Sequence, residues 1–552
     1  MPNLTHRPLT RRAVMRAGAL AAGGIAVGAT SVACTTSDGG DQAPPGGTRD
    51  VEQIDLPTYQ QFAGVAPDFP ASVEGGVEGF LSYPRDAGEP LPPPGGGISA
   101  SALIALGGKP QVPLADSTYW QQLNTNLDCE LDVQSIPPGQ FTAKVSTVIA
   151  GGDIPDIMEI PGNLPMDLPR LLDSTFEDLT PYVTGDAVGD YPYLANFPQT
   201  AWRSCVYNGK IYGIPSVSRL LQRFMVVRSD LVERHGWNDR PADATEMVEL
   251  FTAMAAVGRD SFAGTASQLF ALCLPMFGAP NGWRATDDSF VFNIETEEYK
   301  EALACVTQLW ADGICHPNSF LTEQQIVDWF GTGAIATYAG AGVGYRGMLT
   351  AYHTINPEME MGFVPIPRAE GGGPAPAYVT SGRNTMAVIR KSDPERVAKL
   401  LGIANYMAAP FGTPEYLFLN YGAEGEHFNW DDEAGLPVRT KKGDTEYMGN
   451  LVYIARPPTV LFFPGYDEVT EADWANEKVV IADQVPPGDL GLYSPTQTTK
   501  GPGLLRDVTN RQWDVIQGRA TMDDWDATVQ RWRDGGGDQM REELIAAREA
   551  DQ

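Results

Sequence analysis

At 552 residues the chain is longer than one hydrophobic core ordinarily organises, so two or more lobes are expected. Its composition is that of a globular protein, 43% hydrophobic and 20% charged. A net charge of −31, from 39 basic and 70 acidic residues, excludes nucleic acid as a partner held by general charge. It also disfavours an anionic ligand unless a local basic pocket receives it.

Met1 to Ala33 reads as a targeting segment rather than fold. Thr10 to Arg16 has the twin-arginine pattern around Arg11 and Arg12, and Ala17 to Ala33 is an uncharged run of Ala, Gly and Val. Ser31-Val32-Ala33 then places small residues before Cys34, which resembles the lipobox of bacterial lipoproteins and makes Cys34 the expected lipidated N-terminus. Ser31 stands where that motif usually has Leu, so simple secretion stays open. The expected location is the outer side of the cell membrane, with a lipid anchor. Residues 35–97, marked by PPGGTRD and EPLPPPGGG, read as a tether and irregular extension. Tyr59, Phe62, Phe69 and Phe80 suit a part of it that packs on the body.

The body starts with a short apolar strand, Ser101 to Leu106. Helices come next at Tyr119 to Asn126 and Phe141 to Ala150. The second has Phe141, Val145, Val148 and Ile149 on one face and Gly151 at its C-cap. Ile154 to Ile160 is another strand, and this alternation, carried to Pro215, predicts a parallel α/β sheet. Asn208-Gly209 supplies the φ > 0 pair of a tight hairpin. Pro215 cannot donate to a ladder and is expected to end its strand. Ser216 to Arg223 has no period and reads as a crossing between lobes, and Phe224 to Val227 as a buried strand. Helices are expected at Leu231 to Gly236, Thr245 to Val257 and Thr296 to Trp310, the last ended by Gly313. Ser392-Asp393-Pro394-Glu395 opens a further helix that buries Val397, Leu400, Leu401, Ala404 and Met407. Trp525, Val529 and Trp532 lie at helical spacing near the C-terminus, and no internal repeat is present.

GKIYGIP, an apolar strand and VRSDLVERHGW resemble the hinge region of the extracellular solute-binding proteins of ABC importers, in the branch of large sugar-binding lipoproteins. AGGDIPDIMEI (150–160), ADGICHPNSF (311–320), FGTGAIATYAG (330–340) and LNYGAEGEHFNW (419–430) fall in the same order as in that branch. The likeness runs from Ser101 to the C-terminus. It implies a type II periplasmic-binding-protein-like fold: two α/β lobes joined by a multi-crossing hinge. The first lobe would hold 98–218 and 362–410, and the second 219–361 and 411–552 with a C-terminal helical region. It further implies a monomeric, non-enzymatic protein without a cofactor. Such a protein captures a carbohydrate, an oligosaccharide by the branch, between its lobes and delivers it to ABC permease subunits. An exported carbohydrate-active enzyme and a sensor binding protein are the alternatives.

Of six cysteines, Cys34 is assigned to lipid. Cys129, Cys205, Cys273, Cys305 and Cys315 are expected as buried free thiols, although the compartment permits a Cys305–Cys315 disulfide. No CxxC occurs and the five His are scattered, so no zinc site is expected. Related lipoproteins often carry a calcium loop; the corresponding Phe251 to Ser267 has Asp260 alone, so that site is expected to be lost. Gly342-Val-Gly344-Tyr-Arg-Gly347 matches the dinucleotide fingerprint, but Glu358 and Glu360 come too early for its acid, and a small-residue loop is the better reading. No G-x-S-x-G, Walker or H-E-x-x-H motif is present, and no catalytic residue is assigned.

A sugar presents an apolar C–H face and a rim of hydroxyls, so its site pairs aromatics with hydrogen-bonding side chains. The aromatic candidates are Trp120, Trp202, Trp283 and Tyr338, with Tyr345 and Trp430 behind them. The polar candidates are Arg219 and Gln222 in the crossing, Arg383 and Asn384 before the MAVI strand, and Glu424 and His427 in YGAEGEHF.

Overall fold

A computed structural model describes residues 54–550 apart from 86–87, 222, 320–322, 341–348, 350 and 353–355. The targeting segment, Cys34, Gln222, Tyr345 and the fingerprint at 342–347 lie outside the described residues.

The main strands are β1 (Ile98–Ala105), β2 (Cys129–Ile136), β3 (Ile157–Ile160), β4 (Gly213–Val217), β5 (Phe224–Arg228), β6 (Thr337–Gly340), β7 (Met361–Val364) and β8 (Arg383–Ile389). The helices that matter here are α1 (Thr118–Leu127), α2 (Pro138–Gly151), α3 (Ala266–Met276), α4 (Glu297–Ala311), α5 (Pro394–Met407), α6 (Asp467–Val480) and α7 (Gly501–Ile516).

In the first lobe the strand order is β2-β1-β3-β8-β4. Successive residues of β1 and β8 enter opposite layers. Ala102, Ile104, Ala387 and Ile389 join the core that contains α1 and α5, while Leu103, Ala105, Met386 and Val388 join the one that contains Phe141 and Val145 of α2. A sheet buried on both faces explains the continuous apolar runs of these strands. Side-chain caps fix the helix starts: Ser117 accepts from Trp120 N–H and Asp393 from Arg396 N–H, with Pro394 in the first turn.

Three local expectations change. The sheet is mixed, because β8 re-enters from the second lobe and runs antiparallel to both β3 and β4. Pro215 does not end its strand: β4 continues to Val217 because it is the outermost strand, where a missing N–H costs little. The left-handed C-cap of α2 is Gly152, at φ 79°, one residue past the expected Gly151. Asn208 and Gly209, at φ 51° and 66°, do form the hairpin turn.

The second lobe is built on β6-β5-β7. It is extended past β6 by bridges from Phe262 to Ile335 and from Gly264 to Cys315. Met225 and Val227 of β5 face a core with α3 and α4, and Phe224 and Val226 face one with Val469 and Val480 of α6. All five cysteines expected as free thiols carry them, Cys305 half-buried and the rest buried.

Three stretches join the lobes: 218–223 between β4 and β5, 365–382 between β7 and β8, and 456–466 ahead of α6. Phe418, Met448, Leu451, Ile454 and Ala455 belong to the first-lobe core. Met361 to Val364 of β7 pair with β5.

Residues 54–85, within the expected tether and irregular extension, pack on the body as a strap. Thr58 N–H donates to Gly185 O and Gln60 N–H to Ala195 O on the first lobe. Phe69 packs on Trp474 of α6 at 5.3 Å, and Val77 N–H donates to Glu477 Oε1 at 2.8 Å. Glu78–Gly79 pairs in parallel with Val460–Leu461 of the third crossing.

Candidate functional site

The strand ends that face the crossings define the site. In the first lobe β1, β3 and β4 end on the edge where β8 begins, since Arg383 pairs with Val217 and Met386 with Ile160. Glu159 sits at this edge, 5% exposed, with Oε2 accepting from Ala105 N–H at 2.7 Å. Burial pushes its carboxyl up to about 7, against the pull of the Ala105 N–H and the Thr385 hydroxyl. Arg383 is half-buried, its Nη1 4.0 Å from Cys205 Sγ, and Asn384 is exposed beside it. Tyr207 lies buried nearby with its ring edge-on to Tyr493 at 6.4 Å.

In the second lobe β6 ends at Gly340, opposite Phe224, where β5 leaves the first crossing. The bridge segments run parallel to the chain that leads into β6, so the residues just beyond them lie on the same edge. Thr265 there caps α3, its Oγ1 3.0 Å from Ser267 Oγ, and Ser319 Oγ accepts from Ala266 N–H at 2.9 Å. Ser267 and Ser319 form one wall of a crevice of about 750 Å³, and Asn510, Trp513, Asp514, Gln517 and Arg519 complete it. Trp513 stands on α7 with its side chain half-buried. Gly518, at φ 69°, lets the chain reverse so that Arg519 N–H returns to Asp514 O at 2.8 Å. The same reversal holds the Arg519 guanidinium on the Asp514 carboxylate at 2.8 Å. One aromatic face, hydroxyls, amides and a charged pair in a single open crevice suit a ligand with both apolar faces and hydroxyls.

Most residues singled out from the sequence have other partners. Trp120 is 5% exposed and donates Nε1–H to Leu131 O at 2.9 Å. Trp202 is fully buried beside Phe197 in the first-lobe core. Trp283, 2% exposed, donates to Gln497 Oε1 and packs among Phe292 and Trp532. Arg219 is held by Asp473 and Glu477. His427 is fully buried, Nδ1 accepting from Ala423 N–H at 3.1 Å and Nε2 facing Thr118 Oγ1 at 3.1 Å. Glu424 is exposed on the same loop, and Trp430 lies under the Arg85 guanidinium at 4.3 Å. Arg383 and Asn384 stand at the first-lobe edge, and Tyr338, 5% exposed on β6, stands two residues before the second-lobe edge. Trp513 was not among the candidates. Its cue is RQWD, a tryptophan set among polar residues in an amphipathic helix.

Comparison with known proteins agrees with this architecture. The sequence model of a family described as bacterial extracellular solute-binding proteins matches residues 119–417, more than half of the chain. The polygalacturonan/rhamnogalacturonan-binding protein YtcQ of Bacillus subtilis is 23% identical over 443 residues, covering 76% of this chain and 85% of YtcQ. Lipoprotein LipO of the same organism is 20% identical over 464 residues, covering 79% of this chain and 89% of LipO. An extracellular solute-binding protein from Bifidobacterium longum subsp. infantis superposes with a TM-score of 0.59 at 15% identity, covering 82% of this chain and 97% of that one. That superposition shows the type II fold.

Proposed function

Because this chain belongs to the bacterial extracellular solute-binding proteins, we propose that it captures a carbohydrate, an oligosaccharide, between its lobes and delivers it to the permease of an ABC importer. The observation that carries the carbohydrate reading is the Trp513 crevice on the second-lobe edge, where a ring face stands among hydroxyl and amide side chains. The name of YtcQ, a polygalacturonan/rhamnogalacturonan-binding protein, agrees with it. Arg383 and Asn384, on the first-lobe edge, are the groups proposed to meet the sugar from the other side. Capture does not need a reaction, and the protein is read as a binder rather than an enzyme.

Micromolar capture corresponds to about −8 kcal/mol. That free energy closes the lobes only to the extent that the ligand binds the closed arrangement better than the open one. Export through the twin-arginine pair and anchoring through Cys34 would hold the protein at the membrane where its permease works. The test is incubation of the pure protein with a panel of mono- and oligosaccharides. A binder raises its melting temperature with one class of sugar and returns that sugar intact. Cleaved product overturns the binding reading in favour of an enzyme, and no shift with any carbohydrate overturns the ligand class.

A further inference from the structure

We propose that the strap is a fourth crossing of the hinge, a staple that limits how far the two lobes open. One short segment seats side chains in both lobes. Leu56 is buried in the first-lobe core with Phe62 packed beside it. Val77, 2% exposed, is buried in the second-lobe core with Phe224, Val226 and Val469. Between them Val73 packs on Leu220 of the first crossing, Val379 of the second and Ile481 just past α6. Gly79 then pairs with Leu461 of the third. The strap therefore touches all three stretches that join the lobes.

The passage from one lobe to the other takes only the three residues from Glu74 to Val77. Glu74 Oε1 accepts from Gln199 N–H at 2.6 Å. Gln199 opens the short helix that carries Ala201 and Trp202 into the first-lobe core. Val77 N–H donates to Glu477 Oε1 on α6, and Oε2 of the same carboxylate holds Arg219 of the first crossing. Strap, crossing and α6 thus meet at Glu477. The span itself is a close fit on both sides. Gly75 has φ 76°, and a Cβ there would come within 3.0 Å of Pro198 Cγ; one at Gly76 would lie 3.5 Å from Glu477 Oε1. Gly76 N–H closes a turn onto Val73 O at 3.0 Å. Three residues reach about 11 Å at full extension. Motion that carries Gln199 and Glu477 apart must first open that turn, and it stops when the span is straight. Lobe movement is absorbed by dihedral changes in a few hinge residues, and a strap fastened to both lobes removes part of that range.

The test gives the span slack without loosening its ends: Gly-Ser-Gly-Ser is inserted between Gly75 and Gly76 of the whole protein. Solution X-ray scattering and amide hydrogen exchange are read without ligand. The radius of gyration should rise by about 1 Å over the wild type, against roughly 24 Å for a compact chain of this length. Residues 218–223 should exchange faster. The same insertion after Gly88, an exposed glycine beyond the strap, should leave both measurements as in the wild type. Phe69→Ala combined with Glu74→Ala removes a half-buried and an exposed side chain and should act in the same direction. That double variant decides the outcome if the insertion prevents folding. Scattering that superposes on the wild type overturns the proposal, as does an equal rise from the insertion after Gly88. No sugar enters either measurement, so the carbohydrate reading can fail while this result stands.

Discussion

Arg219 and Asp473 meet through two parallel hydrogen bonds, Nη1 to Oδ2 at 3.0 Å and Nη2 to Oδ1 at 2.7 Å, while Arg219 Nε reaches Glu477 Oε2 at 2.5 Å. The pair joins the first crossing to α6, and both side chains are almost fully buried. Burial holds the Asp473 carboxyl above its ordinary range even with the guanidinium beside it. Arg219→Leu leaves two buried acids without their cation and should cost about 3–5 kcal/mol of stability. Arg219→Lys should recover only part of it, because a single ammonium cannot make the forked contact. Urea midpoints of the three proteins measure both effects. A variant as stable as the wild type would show that the pair does not hold the hinge.

Trp513 and Trp202 should separate binding from folding. Trp513→Ala removes a half-exposed ring and should weaken oligosaccharide binding ten- to a hundredfold, about 1–3 kcal/mol, with little change in the melting temperature of the free protein. Trp202→Ala empties a core position and should cost about 3–5 kcal/mol of folding stability, with unchanged affinity in the folded fraction. Titration calorimetry and apo melting curves on both mutants decide. The reverse pattern would move the sugar site into the first lobe.

Glu159 predicts a pH dependence. Its carboxyl is raised in the fold from 4.5 to about 7, so between those values the folded state binds more proton than the unfolded chain. Stability from this group is therefore full below pH 4.5 and falls as pH rises toward 7, by on the order of 3 kcal/mol. Glu159→Gln keeps an acceptor for Ala105 N–H and removes the titration. Its stability relative to wild type should be greater at pH 8 than at pH 5. An equal difference at the two pH values would place the group near its unperturbed range.

Arg11→Lys with Arg12→Lys should leave precursor in the cytoplasm, and Cys34→Ala should release folded, ligand-competent protein to the medium. Immunoblots of fractionated cells check both. Normal export of the first variant removes the twin-arginine route, and membrane retention of the second removes the lipid anchor.

The fold could be read where backbone chemistry is local. Asn208-Gly209 can hardly be other than a tight turn, and Asp393-Pro394 can hardly be other than a helix start. Strand sense depends on where distant chain returns, which is why the reversed β8 was not visible. The site was less legible. An indole is read alike whether it is destined for a core, as Trp202, or for a crevice, as Trp513, because one-dimensional pattern does not say which face another element covers. Arg219 sits in the expected crossing, but its partners lie more than 250 residues away.

The strap also sets an order of events. Val77 is bonded to Glu477 across 400 residues of sequence, and Gly79 pairs with Leu461. Among the first segments of the body to be synthesised, the part of the strap from Phe69 to Gly79 can settle fully only after α6 exists, since contacts of such separation wait on the intervening chain. Until then the ring of Phe69 has no α6 to cover it. A chain that stops short of α6 therefore keeps that ring open to solvent, and the docked Phe69 marks a polypeptide that has been extended through Trp474.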